Sequence, residues 1–412
     1  MRIEELHKVA LRLHESGHHE EALKLLREIL AETNSSEIWS DWATIQFRRG
    51  ELGEAEAGYR LAMRLNPQDT QAPANLGALL FDQGRIGEAL PYLEFGLRSA
   101  REEERVAAQQ LRQYGNEQLK NKPYATEKAL EAFLREYVSD NPVETSYFET
   151  HVRRFVATLQ MLPAGTGKER ILELGSGLRH LTPAVKHCKG YGEVRCAKVG
   201  AGKSRENCKL TSRSGKYRDT FIVNSVDAQG QEWPYADAEF DTVVCCEVLE
   251  HLWSDPMGML AGINRILKND GLLLLTTPNL ASGHAVEETL RGGSPYTQGK
   301  FEIGGTASGR HSREYTAAEV ERLAGYAGFE VTSLRTQDLY WQPKTETLQQ
   351  LVVQGFSVAQ RGDTIFVVAK KRGPVRERYP EEFYVAAGLR MCGEGEGASE
   401  KLSPEPAAVA QT

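Results

Sequence analysis

Glu247-Val-Leu-Glu250-His251 sets two carboxylates and an imidazole within five residues, directly after the apolar run Thr242-Val-Val-Cys-Cys246. A mixed carboxylate and imidazole set can hold a divalent cation, and a cation lowers the pKa of a bound hydroxyl. His251 can also act without metal as a general base, since an imidazole titrates near neutrality. The same groups can instead form a plain hydrogen-bond network. A second histidine, His311, lies in Arg310-His-Ser-Arg-Glu-Tyr-Thr316. The candidate catalytic pair is therefore His251 and His311, and the candidate metal set is Glu247, Glu250, His251 and His311. Two histidines among the donors suit Mn²⁺ as well as Mg²⁺, because Mg²⁺ prefers oxygen. Arg313 and Tyr315 either touch an acceptor or anchor their loop.

A second constellation lies upstream. Ile171-Leu-Glu173-Leu174 reads as a strand, Gly175-Ser176-Gly177 as a tight turn, and a helix follows from about His180. Two glycines at this spacing let the backbone approach a ligand with no Cβ in the way. The ligand then also meets the N-terminus of the helix. A dinucleotide fingerprint needs a third glycine three residues on, and His180 stands there, which counts against nicotinamide or flavin. Asp227-Ala228 follows the strand Thr220–Ser225, where Asp227 either meets the ligand or caps a turn. Trp233-Pro-Tyr235 comes next and can supply an apolar lid. The glycine-rich stretch Ser282–His311 is long for a compact domain and is expected to cover an acceptor pocket. Lys300, Arg310 and Arg313 give it a basic tint.

The elements that must position these groups alternate between residues 170 and 370, short apolar runs with helical patterns, as in an α/β domain with a mostly parallel sheet. The order strand, Glu173-x-Gly175-x-Gly177, helix is followed by Phe240–Cys246 and Glu247–Leu252. A helix ending near Leu267, the turn Lys268–Gly271, the strand Leu272–Leu275 and Thr276-Thr-Pro-Asn279 complete the series. This series resembles the motifs of the Rossmann-like (class I) S-adenosylmethionine-dependent methyltransferases of type 11 or 23, over roughly residues 145–370. The resemblance implies a seven-stranded α/β sheet and S-adenosylmethionine as cofactor. It implies that Glu173, Gly175, Ser176, Gly177, Asp227, Ala228 and Glu247 bind that cofactor. It implies methyl transfer to a small-molecule or saccharide-like (glycan) acceptor, with oxygen the expected target. Transfer to nitrogen or carbon without metal is an alternative. Glu-x-x-Glu-His with a later histidine also resembles the Mg²⁺ site of small-RNA 2′-O-methyltransferases, which keeps a metal-dependent RNA 2′-O-methyltransferase in view. One departure stands out. The strand Gly192–Val199 ends without the acid that should hold the ribose hydroxyls, so either another group takes the ribose or that strand is misplaced. A non-catalytic, repeat-based scaffold with a degenerate methyltransferase fold is the third alternative.

The N-terminal part repeats. A glycine recurs at 17, 50 and 84 and an alanine at 22, 55 and 89, at offsets of 33 and 34 residues. This resembles the tetratricopeptide repeat, a helix–turn–helix unit in which the glycine turns the chain and the alanine allows close helix packing. Such repeats offer a surface for a protein partner or for self-association. Trp39 and Trp42 are read as packing residues. A lead-in helix is expected around Glu144–Leu162, a hairpin around Ser212-Arg-Ser-Gly-Lys216, and an N-cap at Thr316 for the helix Ala317–Ala327. The expected domains are 1–100, the repeats; 101–143, a capping helix and linker; 144–372, the methyltransferase; and 373–412, an extension that becomes disordered from about 393. The net charge of −7 disfavours nucleic acid as a partner. No apolar run approaches the ~20 residues that span a bilayer, and the charged N-terminus does not read as a signal sequence. The chain reads as cytoplasmic, with its six scattered cysteines reduced.

Overall fold

Gly17, Gly50 and Gly84 all take positive φ, at 83°, 82° and 74°. Each closes the turn of a helical hairpin, in a conformation that costs L-residues with a Cβ roughly 1–2 kcal/mol. The computed structural model describes residues 2–99, 101–200, 204–230, 232–298 and 310–385. The three hairpins are α1 (Arg2–Glu15) with α2 (His19–Glu32), α3 (Ser36–Arg48) with α4 (Leu52–Leu65), and α5 (Gln71–Asp82) with α6 (Ile86–Gly96). Ala22, Ala55 and Ala89 have no exposed surface, as expected for small residues where helices meet closely. Trp39 and Trp42 are buried in the same core, edge to face at 5.4 Å.

The next helices divide their allegiance. α7 (Glu102–Leu119) packs on the repeats, where Ala108 lies against Gly96. α8 (Glu127–Arg135) instead turns Leu130, Phe133 and Leu134 into the core of the following domain. α9 (Pro142–Met161) starts sharply. Pro142 occupies its first turn and the Asn141 side chain accepts from the Val143 N–H at 2.9 Å.

The sheet has eight strands rather than the expected seven. They are β1 (Arg170–Leu174), β2 (Glu193–Val199), β3 (Arg205–Thr211), β4 (Arg218–Val226), β5 (Phe240–Cys246), β6 (Leu267–Pro278), β7 (Phe329–Gln337) and β8 (Thr364–Lys371). Their order is β3-β4-β2-β1-β5-β6-β8-β7. β4, β2, β1, β5 and β6 run parallel, while β3, β7 and β8 pair antiparallel. The extra strand is β3. A parallel pair such as β2 and β4 needs a crossover, usually a helix. Here the chain comes back as β3 on the sheet edge, then turns through Ser212–Lys216 into β4, where the hairpin was expected. α8 covers this end of the sheet, with Phe133 against Tyr217 at 5.4 Å and His187 at 6.0 Å. Because β2 pairs with both β1 and β4, it is correctly placed, and the missing acid at its end is a property of the site.

The remaining helices are α10 (Leu181–His187), α11 (Pro256–Ile266), α12 (Gly283–Leu290), α13 (Ala317–Tyr326) and α14 (Thr345–Val353). Thr316 and Glu319 form a reciprocal capping box at the start of α13. α14 lies between β7 and β8 in sequence but packs on the repeats. Leu348, Val352 and Val358 belong to the repeat core, and Gln349 donates to the Leu30 carbonyl. Residues 1–378 therefore pack as one compact unit. The expected boundary at 372 moves because Asn264 Nδ2 donates to Gly373 O at 2.9 Å and Arg376 N to Tyr326 O at 2.8 Å. Residues 379–412 are a second unit, in which Tyr379 and Tyr384 meet edge to face. The expected disorder from about 393 falls outside the described residues. No described helix is long and apolar enough to cross a membrane.

Candidate functional site

The chain leaves β1 in one direction across the sheet and β5 in the other, which opens a crevice beyond their carboxyl ends. Gly175 sits there at φ 83° and Gly177 at φ 41°. A Cβ on Gly175 would run into the Val248 side chain, so the glycine turn and the Glu247–His251 segment are packed together. The Gly175 and Ser176 N–H groups both donate to Ala197 O, at 2.9 and 3.0 Å, and tie the turn to β2. Glu173 is buried beneath it and accepts from Thr182 Oγ1. Burial pushes its carboxyl up to about 7. His180 is buried among Tyr147, Phe148 and Phe155, and its imidazole pKa is lowered by that burial.

Asp227 is exposed after β4 and accepts from Gln229 N at 3.0 Å, while Ala228 is buried. Trp233 is no lid. It is buried against Gly262 of α11 and donates to Asp227 O at 2.9 Å, which fixes the loop from below.

Glu247 has a positive φ of 53°. It pairs with Arg154 of α9 at 2.8 Å and accepts from Thr276 Oγ1 at 2.8 Å. Arg154 is 5% exposed and pairs with the carboxylate that faces it, as a buried guanidinium must. Glu250 is fully buried and accepts from Thr277 Oγ1 at 2.9 Å through one oxygen. Its other oxygen, Oε1, has no hydrogen-bond partner among the described residues. Burial, and then Glu247, hold its carboxyl well above the usual range.

His251 Nδ1 lies 2.9 Å from the Arg310 carbonyl. A carbonyl only accepts, so Nδ1 carries the proton and Nε2 keeps its lone pair. Burial lowers the pKa of this ring and keeps it neutral. His311 Nδ1 lies 2.7 Å from the buried Glu314 carboxylate, which leaves Nε2 open in the same way. The two rings meet edge to face at 5.0 Å. The Glu250 carbonyl accepts from the Ser312 and Arg313 N–H groups and clamps the two segments together.

Ligand atoms of Glu250, His251 and His311 thus lie within 4.8 Å of one another. Glu247, the fourth member of the expected metal set, is held away by Arg154. Arg313 and Tyr315 anchor the loop: Arg313 pairs with Glu319 at 2.7 Å and lies over the buried Tyr315 ring. Gly304, Gly305, Gly309 and Lys300, part of the expected pocket cover, lie outside the described residues.

Four residues that matter here were given no site role in the sequence. Arg154 lies on a helix read only as a lead-in. Thr276, Thr277 and Glu314 read as strand-end and loop residues. Asp363 is another. Its buried carboxylate accepts from the N–H groups of Leu339, Tyr340 and Trp341, which shapes the 338–341 turn. Tyr340 OH then bonds His151 Nδ1 at 2.7 Å, and burial lowers the His151 pKa to about 4.

Part of the chain is similar to known proteins. Residues 147–334 match a family model described as a methyltransferase domain. A probable S-adenosylmethionine-dependent methyltransferase of Mycobacterium tuberculosis H37Rv is 28% identical over 196 residues, 47% of this chain and 58% of that one. A probable S-adenosylmethionine-dependent methyltransferase of Mycolicibacterium smegmatis is 35% identical over 100 residues, 24% of this chain and 32% of that one. The chain therefore spans between a third and somewhat over half the length of these curated relatives. The solved structure of a SAM-dependent methyltransferase from Archaeoglobus fulgidus is 16% identical, with a TM-score of 0.33 over 58% of this chain and 98% of that one. Residues 147–334 are a methyltransferase domain of the Rossmann-like class. S-adenosylmethionine is the cofactor such a domain uses.

Proposed function

We propose that this chain is an S-adenosylmethionine-dependent methyltransferase that transfers the methyl group to an oxygen of a small-molecule or saccharide-like acceptor. The observation that carries the reading is the Glu250, His251 and His311 cluster beside the glycine turn. In-line displacement at a sulfonium methyl needs an aligned acceptor, and an oxygen acceptor must lose its proton. Two imidazoles whose Nδ1 atoms each face an acceptor present two Nε2 positions for that proton. The cofactor contacts we assign are Glu173, Gly175, Ser176, Gly177, Asp227, Ala228 and Glu247. Trp253, 79% exposed two residues after His251, offers a ring face to a sugar or an aromatic acceptor.

The same cluster fits a divalent cation. Its donor set is one carboxylate oxygen without a partner among the described residues and two imidazole nitrogens. That set suits Mn²⁺ or another transition metal at least as well as Mg²⁺. A cation there would lower the pKa of the acceptor hydroxyl. The N-terminal helices are read as tetratricopeptide repeats, on the 33- and 34-residue period, the shared positive-φ glycine and the buried alanine. They are assigned to holding a partner or a second copy.

The test is calorimetry with S-adenosylmethionine and S-adenosylhomocysteine, with and without Mn²⁺ or Mg²⁺, on wild type and Gly175→Arg. Binding in the wild type that Gly175→Arg abolishes supports the cofactor site. No binding to folded wild type would refute the enzyme reading in favour of a scaffold. A metal signal that disappears in His251→Ala/His311→Ala supports the cation reading over the metal-free base.

A further inference from the structure

A row of rings runs along the carboxyl edge of the sheet. Tyr147, His151 and Arg154 fall on one face of α9, spaced by four and then three residues. The pairing of Arg154 with Glu247 sets that face against the end of β5. Another stripe of the same helix, Arg153, Val156, Ala157 and Gln160, lines a separate cavity of about 520 Å³ between the repeats and the methyltransferase domain, so α9 walls two spaces. On the crevice side, Tyr147 lies over His180, just past the glycine turn, with centroids 6.2 Å apart and planes at 20°. Tyr147 meets His151 at 4.3 Å, His151 meets Tyr340 at 5.5 Å, and Tyr340 meets Trp341 at 5.7 Å. Trp341 then stacks on His284 of α12 at 4.7 Å, with the planes at 5°. β7 ends and β8 begins beside Pro278, the last residue of β6, so the 338–341 turn hangs over the same edge.

The row is both accessible and fixed in advance. Tyr147 is 40% exposed, and His151, Tyr340, Trp341 and His284 are half-buried. Beyond the grip of Asp363 on the turn, Arg153 donates to Leu339 O at 2.9 Å and Arg64 of the repeats donates to Pro343 O. Rings already held in one orientation lose little entropy when a ligand lies on them. The row also adjoins the histidine cluster. Thr276 holds Glu247 and the next residue, Thr277, holds Glu250.

The chemistry of the row narrows the acceptor. Arg154 is paired with Glu247, and Asp363 with three backbone N–H groups, so the charges beside the rings are spent within the protein. Tyr340 OH is spent on His151 Nδ1. A sugar needs several donors and acceptors around its rim, whereas a flat aromatic ring needs faces and edges of other rings. A cation also seeks ring faces, but caging one needs rings on several sides, and these rings form a line. We infer that the acceptor is a phenol or a related flat aromatic compound, held along this row with Trp341 as a specificity-determining side chain, an inference that rests on the methyltransferase reading above. The phenolic oxygen bonds the methyl carbon, and the carbon–sulfur bond breaks with its electron pair left on the sulfur of S-adenosylhomocysteine. The phenolic proton passes to Nε2 of His251 or His311.

The test is saturation-transfer NMR on the full chain, with and without S-adenosylhomocysteine. The probes are catechol and 7-hydroxycoumarin, with methyl α-glucoside and choline beside them. At least one of the two phenols is expected to receive saturation. Its affinity is expected to fall at least tenfold in Trp341→Ala and to return to within threefold of wild type in Trp341→Phe. Tyr147→Ala removes an exposed ring and serves where Trp341→Ala disturbs folding, with an expected loss of at least threefold. Three outcomes overturn the inference: no transfer to either phenol, transfer that survives both Trp341→Ala and Tyr147→Ala, or transfer to the glucoside or choline that Trp341→Ala abolishes while the phenols stay silent. S-adenosylmethionine calorimetry on the same samples separates the two readings. Cofactor binding without phenol binding sinks only the ring row, and phenol binding without cofactor binding sinks only the methyltransferase.

Discussion

The glycine turn and the histidine cluster are neighbours built on opposite principles. The turn is made by backbone. Gly175 and Gly177 take positive φ, and the Gly175 and Ser176 N–H groups are spent on Ala197 O. The cluster is made by side chains from remote segments, with Thr277 fixing Glu250 and Glu314 fixing His311. A backbone-built site tolerates almost no change at Gly175, because no rotamer can relieve a Cβ clash with Val248. A side-chain-built site can lose a member, keep its shape and lose only chemistry.

The largest effect that can break this contrast is Gly175→Arg. It should abolish measurable S-adenosylmethionine binding by calorimetry, and retained affinity would mean the turn does not form the cofactor site. Next, His251→Ala/His311→Ala should lower kcat about 10²–10⁴-fold, the usual worth of a positioned acid–base group. Cofactor affinity should stay within about threefold, as a side-chain-built site requires. A parallel loss of cofactor affinity would show that the two sites are not separable.

Third comes a pH effect on the turn itself. Glu173 is raised by burial from its ordinary 4.5 to about 7. The folded state therefore holds this proton more tightly than the unfolded one. Its stabilisation is complete below about pH 4.5 and is lost as pH rises through 7. The difference amounts to about 3 kcal/mol. Urea denaturation should show wild type losing stability between pH 5 and 8, with a smaller loss in Glu173→Gln. Equal slopes would show that Glu173 ionises freely. The smallest expected effect is Gly50→Ala, whose φ of 82° meets open space. It should cost about 1–2 kcal/mol by urea midpoint and leave cofactor binding unchanged.

The same contrast explains what could be read in advance. β1, the glycine turn, β5 and the Glu247–His251 string are contiguous, so their spacing was visible, and so was the period of the hairpins. The capped start of α13 at Thr316 was visible for the same reason. Arg154 was hidden because its partner is 93 positions away and its own helix shows an ordinary pattern. Trp233 looked like a lid because an aromatic after a strand end reads the same whether it faces a ligand or α11. The edge strand β3 was partly legible, since its hairpin was expected. Its role in replacing a crossover helix depends on α8 being free to cover the sheet. α14 inside the repeat core and the cavity beside it could not be read at all, because they bring residues near 30–90 against residues near 335–360.

α9 runs without a break from Pro142 to Met161 and is a wall of both spaces. An occupant of one space that shifts this helix also reshapes the other. Thermodynamic reciprocity then requires that each occupant change the affinity of the other by the same factor.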